Sequence, residues 1–383
     1  MAVMISAEGI IAPSPESPTY RDSLRGVLWG TALGDYAGRQ VLSPESSSAD
    51  DILEDAVVRH ELLRSLFSHH ITCFTISQDT QLTLFTLDAL TEVLEWNNEG
   101  SSADELACLW LAYLRWYRGT GRVLESDAPI SLPREIDSHP ALQKAHTLDP
   151  AISRSLNTGQ MQTLDKHVCP DEQTTGALAP SAVFGFLPLE QESTVISLSA
   201  RATALTHGHP ETIVSSIAYT LLIRYAIAYR DVVEQPIRQA VLSVLDWIDS
   251  LPQRGIPSNG EKIRCALRQA KALSEQDVPT HLLDEAFRHE QVSSAVLGRG
   301  VLSALVAENR EEVSALDAIA HAVRVPLVSD SSATVTGALL GAGYGSSIFS
   351  PEFTSRLEVL DVIDEALNRW CAQLGGSAVQ QKS

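Results

Sequence analysis

The sequence predicts one large all-α domain, and three observations carry that reading. Apolar residues recur at helical spacing through most of the chain, convincing alternating strands are absent, and three glycines share one stripe of the first helix. Helical patterning covers residues 53–68, 80–97, 103–118, 195–206, 210–230, 233–250, 259–274, 280–288, 291–307, 311–323, 333–344 and 355–374. Val323 to Val328 is a candidate extended piece, weakened as a central strand by Pro326. The stretch 119–194, punctuated by Gly, Pro and Asp, is expected to carry loops and short helices.

The first helix opens at Asp22-Ser23 and carries Gly26, Gly30 and Gly34 on one face. Each glycine costs about 1 kcal/mol in a helix interior, so a stripe of them implies close approach of another backbone. Gly34-Asp35-Tyr36-Ala37-Gly38 is expected to end that helix. Residues 1–20, with Pro13, Pro15 and Pro18, read as a flexible or loosely docked arm. The domain is expected to span 21–375, with a disordered tail at 376–383.

At 383 residues and 44% hydrophobic content the chain easily supplies a core. No run of eighteen or more apolar residues is read, so no membrane span is expected, and the first residues lack the features of a signal peptide. Five cysteines (Cys73, Cys108, Cys169, Cys265 and Cys371) are scattered without CxxC spacing, which points to the reduced cytoplasm. A formal net charge of −20 argues against nucleic-acid or anionic-membrane partners, whose binding rests on neutralising phosphates.

Two short segments resemble each other: Ser77-Gln78-Asp79-Thr80 and Ser329-Asp330-Ser331-Ser332. Each sets an acid among hydroxyls where an apolar helix begins, because Ser, Thr and Asp cap the orphan N–H groups there. A single such cap is ordinarily structural. If the two helix starts face each other, their oxygens converge into a cluster suited to Mg²⁺, Mn²⁺ or Ca²⁺.

The order of these motifs resembles that of the ADP-ribosylglycohydrolase family. Arg25 to Gly38 is similar to its opening helix, Ser77-Gln78-Asp79-Thr80 to its Ser/Thr-Asp-Asp-Thr metal motif, and Thr206-His207-Gly208-His209-Pro210-Glu211 to its Thr-His-x-His-Pro segment. Asp330 to Ala342 resembles its Asp-x-Asp-Ser/Thr segment, and Arg154 to Leu164 and Thr175 to Phe186 resemble worn versions of its middle motifs. The resemblance implies a helical bundle with a central cleft for two divalent metals and ADP-ribose, and cleavage of the bond joining ADP-ribose to an acceptor. It places the metal positions at Ser77, Gln78, Asp79, Val328, Asp330 and Ser331.

Several positions depart from the family pattern. Gln78 and Val328 stand where the family has acids; Gln78 keeps a neutral carbonyl oxygen and Val328 offers nothing. Two divalent cations bring +4, and two carboxylates return only −2, so one Mg²⁺ or Mn²⁺ at most is expected. The glutamate that can orient or activate water is replaced by Leu42, with Glu45 as a substitute if the loop is remodelled, and Pro180 stands where arginine is usual. Acid–base groups are commonly worth two to four orders of magnitude in rate, so hydrolysis is expected to be weak or lost. Two readings stay open: a metal-assisted hydrolase of ADP-ribosylated protein or another ADP-ribose conjugate, and a degenerate member that binds ADP-ribose or a protein partner, for example as a toxin-neutralising immunity protein. His207 and His209 read as capping and packing the helix opened by Pro210, Asp35 as a hydrogen-bonding residue at a helix end, and Trp116 as core or cleft wall.

Overall fold

The structure, a computed structural model, describes residues 13–42, 65–125, 127–188, 191–251, 260–276, 286–287, 291–324 and 329–380. Its α-helices are α1 (Tyr20–Leu42), α2 (Gln78–Asn98), α3 (Glu105–Gly119), α4 (Pro150–Asn157), α5 (Leu178–Ser181), α6 (Glu192–Thr203) and α7 (Pro210–Tyr229). They continue with α8 (Pro236–Asp249), α9 (Glu261–Ser274), α10 (Ser293–Asn309), α11 (Ala315–Ala322), α12 (Ser329–Tyr344), α13 (Pro351–Thr354) and α14 (Leu360–Gln380). Among the described residues the sole β-type pairing is a single bridge between Phe74 and Leu357. The expected irregular stretch contains 3₁₀ turns at Glu135–Ser138, Pro140–Gln143 and Ala182–Phe186 besides α4 and α5. The expected helix at 53–68 lies mostly outside the described residues, as does that at 280–288, and Val325 to Val328 lie wholly outside them.

The glycine stripe is explained by a backbone zipper. A Cβ on Gly30 would sit 2.0 Å from the carbonyl oxygen of Gly337, one on Gly26 2.6 Å from that of Gly341, and one on Gly34 2.2 Å from that of Ala333. The pairing of 26 with 341 and 34 with 333 makes α1 and α12 antiparallel, so the end of α1 lies beside the start of α12. Side chains there would force the two axes apart. Contrary to expectation, α1 does not stop at Gly38 but runs to Leu42. Gly38 is not among the glycines with positive φ, so it supplies no left-handed helix stop.

The interior is built around α7, which is apolar on all sides and buried over most of its length. It is the one described helix long and apolar enough to cross a membrane, which the sequence did not lead us to expect, yet 89% of its apolar 18-residue window is buried inside the protein. A helix hydrophobic all round is buried in a protein core or in lipid, and here α8, α10 and α12 pack upon it. α14 continues to Gln380, beyond residue 375 where the helical body was expected to end.

Candidate functional site

Three helix ends meet at the site, and each is held by a different device. The start of α2 is capped by Ser77, whose hydroxyl accepts from the Asp79 N–H at 3.3 Å. It is capped again from another helix: Asp35 of α1 accepts through Oδ2 from Ser77 N at 2.7 Å, Thr80 N at 3.3 Å and Thr80 Oγ1 at 2.6 Å. Asp35 therefore serves a helix end, as expected, but that end belongs to α2. The approach to Ser77 is fixed by Tyr36 and Phe74, whose rings stack with centroids 4.3 Å apart. Arg39 clasps the same approach through the carbonyl of Ile76 at 2.7 Å.

The start of α12 reaches this cap across 252 residues of sequence: Ser331 Oγ donates to Asp79 Oδ2 at 3.1 Å. Thr175 Oγ1 lies 3.1 Å from Ser331 Oγ, and because the Ser331 proton goes to Asp79, Thr175 is the donor of that pair. Ser77, Asp79 and Ser331 are thus brought together, as the paired caps required. Gln78 behaves differently from its neighbours. Its side-chain carbonyl accepts from the Asp149 N–H at 2.8 Å and is committed to the chain that leads into α4. Asp330 lies in the first turn of α12, with its side chain outside the described residues, as is that of Leu42 at the end of α1. Glu45 and Val328 lie outside the described residues altogether.

The site is buried and polar. Asp35 is fully buried, and its Oδ1 has no hydrogen-bond partner among the described residues. Neither do the hydroxyls of Tyr219, Ser332 and Thr334. Burial first, and then the negative charge of Asp79, push the Tyr219 phenol far above its ordinary range, so it is a proton donor at any working pH. Buried polar atoms left unpaired are uncommon in folded proteins and call for water or an ion.

Asp149 caps the start of α4. Its Oδ1 accepts from Ala151 N at 2.8 Å and Thr174 Oγ1 at 2.8 Å, and its Oδ2 from Gly176 N at 3.0 Å. His207 Nε2 stands 3.3 Å from the same carboxylate. Burial alone would raise the Asp149 pKa, but the His207 charge, its hydrogen bond and those of Thr174 and Ala151 hold it well below the usual carboxylate range. His209 caps α7 as expected, accepting from Glu211 N at 3.1 Å. His207 does not cap that helix; it turns into the Asp149 network because Thr174 and Thr206 flank both ring nitrogens. Trp116 is core, donating to Gln81 Oε1 at 3.0 Å.

Sequence reasoning placed Thr175 within a family-like segment without giving it a role, and it missed Tyr219, Asp149 and the cross-helix role of Asp35. Only Asp149 carried a local signal, since Asp followed by Pro150 is a helix-start pair. The described donors, a carboxylate on Asp79 with the hydroxyls of Ser77, Ser331 and Thr175, are hard oxygens of the kind Mg²⁺ and Mn²⁺ take. No cluster of three or more His, Cys, Asp or Glu suited to a metal occurs among the described residues. Oxygen donors of this kind fit a hard cation completed by water.

The family model described as ADP-ribosylglycohydrolase matches residues 16–381. A solved structure described as an ADP-ribosylglycohydrolase-related protein complex superposes with a TM-score of 0.57 at 17% identity, covering 93% of this chain and 99% of that one. At that identity the likeness concerns the fold. No curated protein matches the sequence.

Proposed function

Because the chain belongs to the ADP-ribosylglycohydrolase family, we propose that the junction of α2 and α12 binds an ADP-ribose conjugate, such as an ADP-ribosylated protein. It does so with one Mg²⁺ or Mn²⁺ and hydrolyses the glycosidic bond slowly or not at all. The observation that carries the reading is the 3.1 Å contact between Ser331 and Asp79, which joins the two motif halves. Asp79, Ser77 and Ser331, with Asp330 from the same turn of α12, would hold the cation. A cation there supplies Lewis-acid polarisation of an oxygen ligand. Thr175 orients the Ser331 hydroxyl, and the Tyr219 phenol is a protonated group held near Asp79.

Slow turnover is supported by what the chain lacks. Gln78 spends its carbonyl on Asp149 N, Val328 has no donor, and Leu42 cannot take a proton. We place the protein in the cytoplasm, a reading supported by its five free thiols. The test is calorimetry with Mn²⁺, Mg²⁺ and ADP-ribose, paired with turnover of ADP-ribosylated arginine and serine. One weak Mn²⁺ site and ADP-ribose binding are expected, with hydrolysis that rises when Leu42→Glu, Gln78→Asp and Val328→Asp are introduced together. Two tight metal sites, or parent turnover on the order of 1 per second or more, would overturn the reading.

A further inference from the structure

The loop from Gln173 to Gly176 is held from every side. Its carbonyls accept from Ser293 at the start of α10, Gln173 O from the backbone N–H at 3.3 Å and Thr174 O from Oγ at 2.7 Å. Thr174 Oγ1 and Gly176 N donate to the two oxygens of Asp149. A Cβ on Gly176 would stand 2.8 Å from Asp149 Cβ, so only glycine lets the backbone come this near. The same Asp149 gives its own N–H to Gln78, the residue before Asp79. One residue therefore ties the start of α2 to the loop whose Thr175 reaches Ser331 on α12.

His207 completes the tie. It is fully buried, with Nε2 3.1 Å from Thr174 Oγ1 and 3.3 Å from Asp149 Oδ1, and Nδ1 2.9 Å from Thr206 Oγ1. The single proton of Thr174 goes to Asp149, so Nε2 is the donor toward this pair. We propose that Asp149 and His207 are positioning residues that set the line Thr175–Ser331–Asp79 and thereby the cation affinity of the site. The affinity part rests on the proposed function; the latch does not.

The experiment measures backbone hydrogen exchange of segments 173–178 and 329–336 without metal, alongside Mn²⁺ calorimetry. The variants are Asp149→Asn, His207→Ala, His207→Gln and, as a control for plain loss of packing under α4, Leu156→Ala. Asp149→Asn and His207→Ala are expected to speed exchange in both segments and to weaken Mn²⁺ binding about 10- to 100-fold, the usual size for a residue behind the ligands. His207→Gln, whose amide nitrogen can replace Nε2 as donor, is expected to recover most of both, whereas Leu156→Ala leaves segment 329–336 unchanged. Unchanged exchange at 329–336 in His207→Ala, or equal effects of Gln and Ala, would overturn the latch. If Asp149→Asn fails to fold, the two His207 variants decide alone. If the wild-type chain binds no Mn²⁺, the functional reading falls and the exchange data still decide the latch.

Discussion

Helix α2 is neighboured by two buried carboxylates that are treated in opposite ways. Asp88, in its middle, receives Arg134 Nε at 2.7 Å, Arg115 Nη2 at 3.2 Å and Arg369 Nη1 at 3.2 Å. Glu95, two turns further on, holds the far ends of Arg134 and Arg369 at 3.0 Å each. This cluster clamps α3, α14 and the 3₁₀ region to α2, and each of its carboxylates meets guanidiniums. Asp35, at the start of the same helix, is as deeply buried but receives only amide and hydroxyl donors on one oxygen and nothing described on the other. A buried carboxylate met by guanidiniums is a finished structural joint; one met by dipoles keeps acceptor capacity for a ligand. The difference separates the part of α2 that holds the fold from the part where we propose that a ligand binds.

The largest expected effect breaks the clamp. Asp88→Ala takes from three guanidiniums the carboxylate they share, leaving Arg134 and Arg369 only Glu95 and Arg115 only Asp137 close by, and removing one partner of a buried ion pair typically costs about 3–5 kcal/mol. Urea unfolding should show a loss of that order, while Mn²⁺ binding per folded molecule stays as in the parent. A loss under about 1 kcal/mol would show that Asp88 is screened and that the contrast is overdrawn.

Next comes Gly30→Ala, which places a methyl group 2.0 Å from the Gly337 carbonyl oxygen. Overpacking of this kind costs about 1–3 kcal/mol. Because α1 and α12 must separate, it should also weaken Mn²⁺ binding, a coupling that an Ala exchange at the exposed Gly119, where a Cβ meets nothing, should not show.

Asp35→Asn sharpens the comparison. The amide oxygen can keep the bonds to Ser77 and Thr80, and the buried charge is gone. Stability should therefore hold or rise by about 1 kcal/mol, while the Mn²⁺-dependent gain in melting temperature shrinks, a familiar trade between stability and function. A loss above about 2 kcal/mol would make Asp35 a structural joint like Asp88.

The smallest effect is a pH slope near the site. His167 accepts from Cys169 N at 2.8 Å, and burial, then the charge of His207, lowers its pKa to about 4. The unfolded chain binds the proton more readily, so this contribution is full above the unfolded value of about 6.5 and is lost as pH falls toward 4. His167→Gln should flatten the stability curve between those limits, as followed by thermal melts at closely spaced pH.

Much of the fold was legible because helices leave a local, periodic record. Apolar spacing located α2, α7 and α10 within a few residues, and the cost of glycine in a helix foretold the close partner of Gly26, Gly30 and Gly34. The end of α1 was not legible, since a glycine marks a helix stop only where the backbone turns left-handed, and Gly38 does not.

By itself the sequence determined the helical architecture, the need of the Gly26, Gly30 and Gly34 face for a close backbone and the cap at Ser77, because each is written in local spacing. Tertiary structure alone decided that Ser331 donates to Asp79, that Gln78 is spent on Asp149, that His207 serves the loop and not a helix end, and that Asp35 caps a neighbour. Those outcomes depend on which groups meet in space, and the partners here lie between 42 and 252 residues apart, a separation that no period or spacing records.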